Sequence, residues 1–469
     1  MRRNGRAETS EGASDGTIGI DQASAEVAIE VLFTEEIKIE SEAGTKLQHS
    51  ILGRTVGTAK CSSSSYAQGP LVDPKLSKYN HLSATQGSDV HLVADNFIGR
   101  QNQLDSMFRG SRKKFGRSPS LRTQRSQKSS KSVTQSLIED ETVIDKREDS
   151  KIEMTMKSTR EPKTASKEKL LVYRFVRRTM EKGVQGLRTE FLSMKRSNNL
   201  ALMRKFVQMN PQGKNRYKDV GCLDATRVKL MNCCDDDYIH ANYVATPTCS
   251  RRFICTQAPL EKTSKDFWLM CIQDRVEFIV MLCNFFEKGA RKCFQYFPTS
   301  GSLQFDDITI TFVKSTMVRF VCSTNAHVRI SAFLVERHGK RMKVKHVHWV
   351  DWPDRGVPPA DTAIVQILDI IKSTQTPIVV HCSAGVGRTG SIVMIQYILE
   401  SLSLNQPIEE SDKILLKLRS QRANTIQTDQ QYLFVHQVLL NYFQENQLLD
   451  AAWKPYLDNF TRLYNKFVF

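Results

Sequence analysis

The run His381-Cys382-Ser383-Ala384-Gly385-Val386-Gly387-Arg388-Thr389-Gly390 follows directly on the apolar stretch Pro377-Ile378-Val379-Val380. A short β-branched strand thus leads into a cysteine, a glycine-bearing turn and an arginine at the head of a helical pattern. Such a turn gathers the backbone N–H groups of Ser383, Ala384, Gly385, Val386, Gly387 and Arg388 around one point. A helix N-terminus aims at the same point, which favours bound anions. The same field lowers the pKa of a thiol, ordinarily about 8.5, and makes Cys382 a thiolate nucleophile. Gly385 and Gly387 let the backbone curl and approach oxygen atoms closely. Arg388 offers a planar fork for two phosphoryl oxygens, which lysine cannot match. Thr389 brings a hydroxyl placed to donate toward the sulfur and ease its departure. A buried cysteine in a glycine turn is the plainer alternative, but strand, spacing, arginine and helix all agree on an anion site.

A thiolate attacking a phosphate ester needs an acid for the leaving group. The segment Trp349-Val350-Asp351-Trp352-Pro353-Asp354-Arg355-Gly356-Val357-Pro358 is a proline- and glycine-punctuated loop between a strand pattern and a helix pattern. Asp354 sits between rigid Trp352-Pro353 and Gly356, as a hinged lid requires. Alone it would read as a turn residue or cap. Beside the cysteine run it reads as general acid in the attack and general base toward water.

Outward from these motifs the chain divides in composition. Residues 1–166 are Ser-, Lys- and Arg-rich with scattered apolar positions, and all four Trp lie beyond Ser166. Such a segment buries too little apolar surface to offset its ordering entropy, so it is expected to be disordered. Helix patterns are expected at Glu168–Lys195, with a break at Gly183 or Gly186, and at Ala363–Ile371, Gly390–Leu404, Glu409–Leu418 and Asp429–Tyr442. Strands are expected at Arg252–Thr256, Phe278–Leu282, Ile308–Phe312, Val318–Val321, Val328–Glu336 and Lys343–Val350. The fold class is α/β: a mixed twisted sheet flanked by helices, with a Cys-x5-Arg loop after a strand parallel to its neighbours. The division expected is a 1–166 extension, a 167–446 catalytic domain and a 447–469 amphipathic tail. Trp453, Tyr456, Leu457, Phe460, Tyr464 and Phe467 share one helical face in that tail. It reads as an extra helix docked on the domain, with a partner- or membrane-binding helix as the alternative.

The formal net charge is +17, and no acidic residue occurs between Arg109 and Lys131. Anionic substrates, acidic lipid surfaces or nucleic acid all suit that balance. Phe115 is the one aromatic residue in the basic run, too few for a base-stacking platform, which argues against nucleic acid. A partner or acidic surface for the extension stays open, as does phosphorylation around Ser118-Pro119. The opening residues lead into polar sequence without the apolar core of a signal peptide. The longest apolar stretch, within 276–286, is too short to cross a bilayer. An intracellular protein with reduced thiols is expected, cytoplasmic with the nucleus as the alternative. Neither Cys233-Cys234 nor His346 with His348 has a second pair of ligands at zinc spacing, so no metal is assigned. No transmembrane segment is expected.

These motifs together resemble the classical, non-receptor-type protein tyrosine phosphatase family over about Leu170–Gln444. HCSAGVGRTG resembles its phosphate-binding signature, which implies Cys382 as phosphocysteine nucleophile and Arg388 as phosphate clamp. WPDRGVP resembles its mobile acid loop, implying Asp354 as acid and base. Lys214-Asn215-Arg216-Tyr217-Lys218-Asp219-Val220 resembles the recognition loop: Tyr217 would stack on the phosphotyrosine ring and Asp219 would hold peptide N–H groups. Ile426-Gln427-Thr428-Asp429-Gln430-Gln431-Tyr432 is similar to the glutamine loop, implying Gln427 as the residue that positions water, with Gln431 as its companion. Phe286-Glu287-Lys288-Gly289 with Lys292-Cys293 resembles the loop whose glutamate braces the arginine, here Glu287. His381 would orient the cysteine loop without acting as acid or base, and His346 and His348 would be structural. Asp237–Tyr243 and Thr256-Gln257-Ala258-Pro259 resemble scaffold motifs, with Ala258 where glycine is usual. Arg355 departs from the Phe or His more often found there, which bears on selectivity and lid closure. The resemblance implies phosphotyrosine-containing proteins as substrates and no cofactor. A catalytically silent phosphotyrosine-binding module would lack the nucleophile, acid or arginine, and a dual-specificity enzyme would lack the Tyr217 loop.

Overall fold

The computed structural model describes residues 165–194, 196, 198–231, 236–320 and 322–469. The N-terminal extension and its basic run, Cys233-Cys234 and Val321 lie outside these residues. Its centre is a sheet of nine strands in the order β1-β2-β3-β11-β4-β10-β9-β8-β7. The ranges are β1 Arg227–Lys229, β2 Tyr238–Thr246, β3 Cys249–Thr256, β4 Phe278–Met281, β7 Ser302–Phe305, β8 Ile308–Met317, β9 Val328–Arg337, β10 Lys340–Trp349 and β11 Ile378–His381. Two short strands, β5 Phe286–Glu287 and β6 Ala290–Arg291, form a separate hairpin.

Strand β11 runs parallel to β3 on one side and β4 on the other, and β4 runs parallel to β10. All four residues of β11 are buried, as befits a strand covered on both faces. The remaining pairings are antiparallel, so the sheet is mixed. Cys382 therefore leaves the C-terminal end of a central parallel strand, where open α/β sheets place their ligand crevice.

The main helices are α1 Lys167–Ser193, α2 Arg204–Met209, α3 Ser264–Gln273, α4 Ala363–Ile371, α5 Gly387–Ser403, α6 Ser411–Arg419, α7 Asp429–Glu445 and α8 Lys454–Val468. The oxygen of Ser166 caps α1, and the break falls at Gly183, with φ 59° and ψ −177°. Helix α5 starts at Gly387, one turn before the Gly390 expected from sequence, and is buried on nearly every side. Trp453, Tyr456, Leu457, Phe460 and Tyr464 are buried where α8 meets α1 and α7. There Tyr173 packs edge-on against Trp453, and Arg188 lies 3.7 Å over the Phe467 ring. Among the described residues no helix is long and apolar enough to cross a membrane.

One expected strand is absent and one observed strand was not expected. Residues 318–320 form no strand, because β9 begins only at Val328 and offers them no partner beyond the Val318 N–H to Val328 carbonyl bond of 2.8 Å. Strand β2 went unrecognised because His240 and Asn242 interrupt its apolar pattern, although both are buried.

Candidate active site

The cysteine loop is held from outside through its carbonyls. The Cys382 carbonyl accepts from His381 Nδ1 at 3.1 Å and the Ser383 carbonyl from the Ala258 N–H at 3.0 Å. The Ala384 and Gly385 carbonyls accept from Arg422 at 3.0 and 3.1 Å, and the Val386 carbonyl from the Ile426 and Gly390 N–H groups at 2.9 and 3.1 Å. In a planar trans peptide the N–H points opposite the carbonyl. Pinning these carbonyls outward turns the N–H groups of residues 383–387 to the other side, where Cys382 and the start of α5 lie. The Gly385 N–H donates to the Cys382 sulfur at 3.2 Å.

Gly385 has φ +68°, and a Cβ there would stand 1.9 Å from the Thr256 carbonyl oxygen. Only glycine fits. At Gly387 a Cβ would stand 2.7 Å from Gln427 Oε1 and 2.9 Å from Gln431 Nε2. Burial opposes charge on the Cys382 sulfur, but Arg388, the hydroxyl and N–H of Thr389 and the N–H of Val386 outweigh it and lower its pKa. The Thr389 hydroxyl acts here by proximity, since Oγ1 is buried without a hydrogen bond of proper geometry. Burial pushes other thiols the opposite way, Cys222 up to about 11 and Cys255 up to about 12.

Arg388 is gripped by Glu287 through two bonds, 2.6 Å from Nη1 to Oε1 and 2.8 Å from Nη2 to Oε2, and its Nη1 also donates to the Leu282 carbonyl. Both side chains are almost fully buried. A fork held this way loses little entropy on binding a second anion. Asp354 Oδ1 accepts from Arg388 Nη2 at 3.1 Å, and its Oδ2 lies 2.9 Å from Lys292 Nζ. Burial alone would raise the Asp354 pKa, but Lys292 and then Arg388 outweigh it and lower it. The lid is anchored by Trp352, which packs between Trp349 and Phe434. Arg355, at φ 64°, is exposed.

Tyr217 packs on Val220, Ala384 and Val386. The Ser383 hydroxyl donates to the Lys292 carbonyl at 3.1 Å, so it accepts the Tyr217 hydroxyl at 2.8 Å. The recognition loop is clamped by the Gln257 side chain, which bonds the Arg216 N–H and the Lys214 carbonyl, both at 2.8 Å. Asp219 is exposed, with its carbonyl held by Asn198. Gln431 is buried and its Oε1 accepts the Gln427 N–H at 2.9 Å. Ile426 just before it has φ +60°, an unfavourable conformation for a β-branched residue. Its N–H bond to Val386 ties the glutamine loop to the cysteine loop.

The structure thus joins Arg388 to Glu287 and Asp354 beside Cys382 and Thr389, sets Tyr217, Gln427 and Gln431 against the cysteine loop, and places His381 behind it, with Asp219 exposed. Sequence reasoning missed Arg422 and Lys292. Arg422 is 1% exposed; besides the loop carbonyls it bonds Asn242 Oδ1 at 2.9 Å and His240 Nδ1 at 3.2 Å. Its signal in sequence was weak: one arginine in a helix-flanking polar run. Lys292 lies next to Cys293 in the chain, and nothing in that local sequence places it beside Asp354.

Residues 211–441 match the family model described as protein-tyrosine phosphatase. A tyrosine-protein phosphatase Lar-like from Caenorhabditis elegans is 34% identical over 265 residues, covering 55% of this chain and 12% of the relative. Tyrosine-protein phosphatase non-receptor type 9 from Rattus norvegicus is 32% identical over 290 residues, covering 57% of this chain and 48% of the relative. The chain therefore spans half or less of these relatives' length. The solved catalytic domain of human protein tyrosine phosphatase non-receptor type 18 is 27% identical, with a TM-score of 0.48, covering 59% of this chain and all of that one. Residues 211–441 of the chain therefore belong to the protein-tyrosine phosphatase family.

Proposed function

We propose that the chain hydrolyses phosphotyrosine in proteins through a phosphocysteine on Cys382, within a catalytic unit of about residues 167–446. The observation that carries this reading is the loop whose five carbonyls are bound outward, next to an arginine fork already braced by Glu287. Fixed dipoles and a fixed cation facing one point stabilise a transferring phosphoryl group without reorganising.

In the first step the Cys382 thiolate attacks phosphorus, the P–O bond to tyrosine breaks, and Asp354 gives its proton to the departing phenolate. In the second step water attacks phosphorus, the P–S bond breaks, and Asp354 takes the water's proton while Gln427 positions it. Asp354 must hold a proton when substrate is bound. In the free site Lys292 and Arg388 hold its pKa low. A phosphate dianion occupying the Arg388 fork replaces that positive neighbour with negative charge, which raises the pKa. Substrate thereby prepares its own acid. Tyr217, flanking the cysteine loop, sets a pocket depth suited to an aryl phosphate.

Phosphate release from a phosphotyrosine peptide, with Cys382→Ser as control, tests the proposal. Turnover absent from the control is expected, and none above the control would sink the reading. Equal rates on a phosphoserine peptide would overturn the assignment to tyrosine.

A further inference from the structure

Behind the cysteine loop lies a chain of three buried side chains from three elements. His346 Nε2 on β10 is 2.7 Å from the Tyr296 hydroxyl, which is 2.7 Å from His381 Nε2 at the end of β11. His381 Nδ1 is 3.1 Å from the Cys382 carbonyl. The three residues are at most 1% exposed.

Proton counting fixes the direction of this chain. A carbonyl only accepts, so His381 Nδ1 carries hydrogen. Burial keeps His381 neutral, with its pKa down at about 3, which leaves Nε2 bare. The single Tyr296 proton then goes to His381 Nε2 at 2.7 Å, a closer and stronger acceptor than the Met281 sulfur 3.9 Å away. Burial also keeps His346 neutral, so its Nε2 carries the hydrogen that Tyr296 accepts. His346 Nδ1 is then bare; it is buried and makes no hydrogen bond of proper geometry, although its own backbone lies near. The other tautomer of His346 would set two bare nitrogens competing for one phenol proton. His348, Arg216 and the thiols of Cys271, Cys283 and Cys293 face the chain, and none of them forms a hydrogen bond to it that would redirect it.

The placement gives the chain a purpose. Strand β4 separates β10 from β11: His346 pairs with Ile279 and His381 with Met281. Tyr296 spans that gap. Strand β10 runs on into the lid at Trp349. We propose that His346 is a positioning residue for the cysteine loop, committing the Tyr296 proton to His381 and so holding the Cys382–Ser383 peptide with its N–H toward the phosphoryl site. The proposal rests on the reading of Cys382 as nucleophile.

The test uses the full chain and two readouts independent of turnover. His346→Met removes the donor at similar volume, and His346→Gln restores an N–H near the same place. Iodoacetate alkylation of Cys382 against pH is expected to shift alkaline in His346→Met, slowing about threefold to tenfold at acid pH, the worth of one hydrogen bond. His346→Gln is expected to return it toward the parent curve. An unshifted curve in His346→Met overturns the proposal. Should that variant fail to fold, Tyr296→Phe must give the same shift, and an unmoved curve there is equally fatal. Imidazole nitrogen NMR of the parent supplies the second readout. His381 protonated on Nδ1 and His346 on Nε2 is expected, and the reverse tautomer at either overturns the proposal. Loss of phosphatase activity with these readouts intact would instead count against the proposed function.

Discussion

The cysteine loop and the acid loop face the same pocket and are built in opposite ways. From Cys382 to Val386 every carbonyl is bound from behind, and the residues are buried. In the acid loop only Trp352, Val357 and Pro358 are buried, while Pro353 and Arg355 stand in solvent. Asp354 is held in place by two ion pairs, to Lys292 and Arg388. The contrast follows from the two tasks. An electrostatic cradle works only if its dipoles are fixed before substrate arrives. An acid that must gain a proton, give it up and regain it has to sit where its charged neighbours can be exchanged.

Changing the movable side of this comparison should cost rate without stability. Asp354→Asn is expected to lower kcat by about 10²–10⁴ and to erase the descending limb of its pH profile, read by steady-state kinetics. A retained limb would place the acid elsewhere. Changing the fixed side should cost stability as well. Arg422→Met leaves the Ala384 and Gly385 carbonyls, Asn242 and His240 without their buried partner. It is expected to lose stability in urea unfolding, about 1–3 kcal/mol for each acceptor left buried and unpaired, along with most activity. Full stability with full activity would show that the loop holds its shape unaided.

A finer probe separates the two loops by pH. Lys292 lowers the Asp354 pKa in the free site, and the descending limb of kcat/KM marks loss of that acid proton in the free enzyme. Removing Lys292 raises the pKa, so Lys292→Met should move that limb to higher pH while the ascending limb stays. Movement to lower pH would contradict the geometry. The smallest effect is expected at the rim. Arg355→Ala should weaken kcat/KM for peptides with acidic residues beside phosphotyrosine by about twofold to fivefold, less at high salt, as for other exposed charge pairs. An effect that ignored salt would point to lid closure instead.

The cysteine loop, the acid loop and most helices were legible because their physics is local. A strand, a glycine turn and a helix start are contiguous, and helix α4 is bounded in the structure as its periodicity dictates, at Ala363–Ile371. Strand β2 was not legible, since burying His240 and Asn242 makes sense only once Arg422, some 180 residues away, lies against them. The same holds for Lys292 beside Asp354 and for Tyr296 between two histidines. By itself the sequence determined which groups could do the chemistry: the thiol, the acid and the arginine. Only the tertiary structure decided the charge environment of the acid and the direction of the buried proton chain. Those depend on which dipoles and cations lie within a few ångströms, and chain spacing does not carry that information.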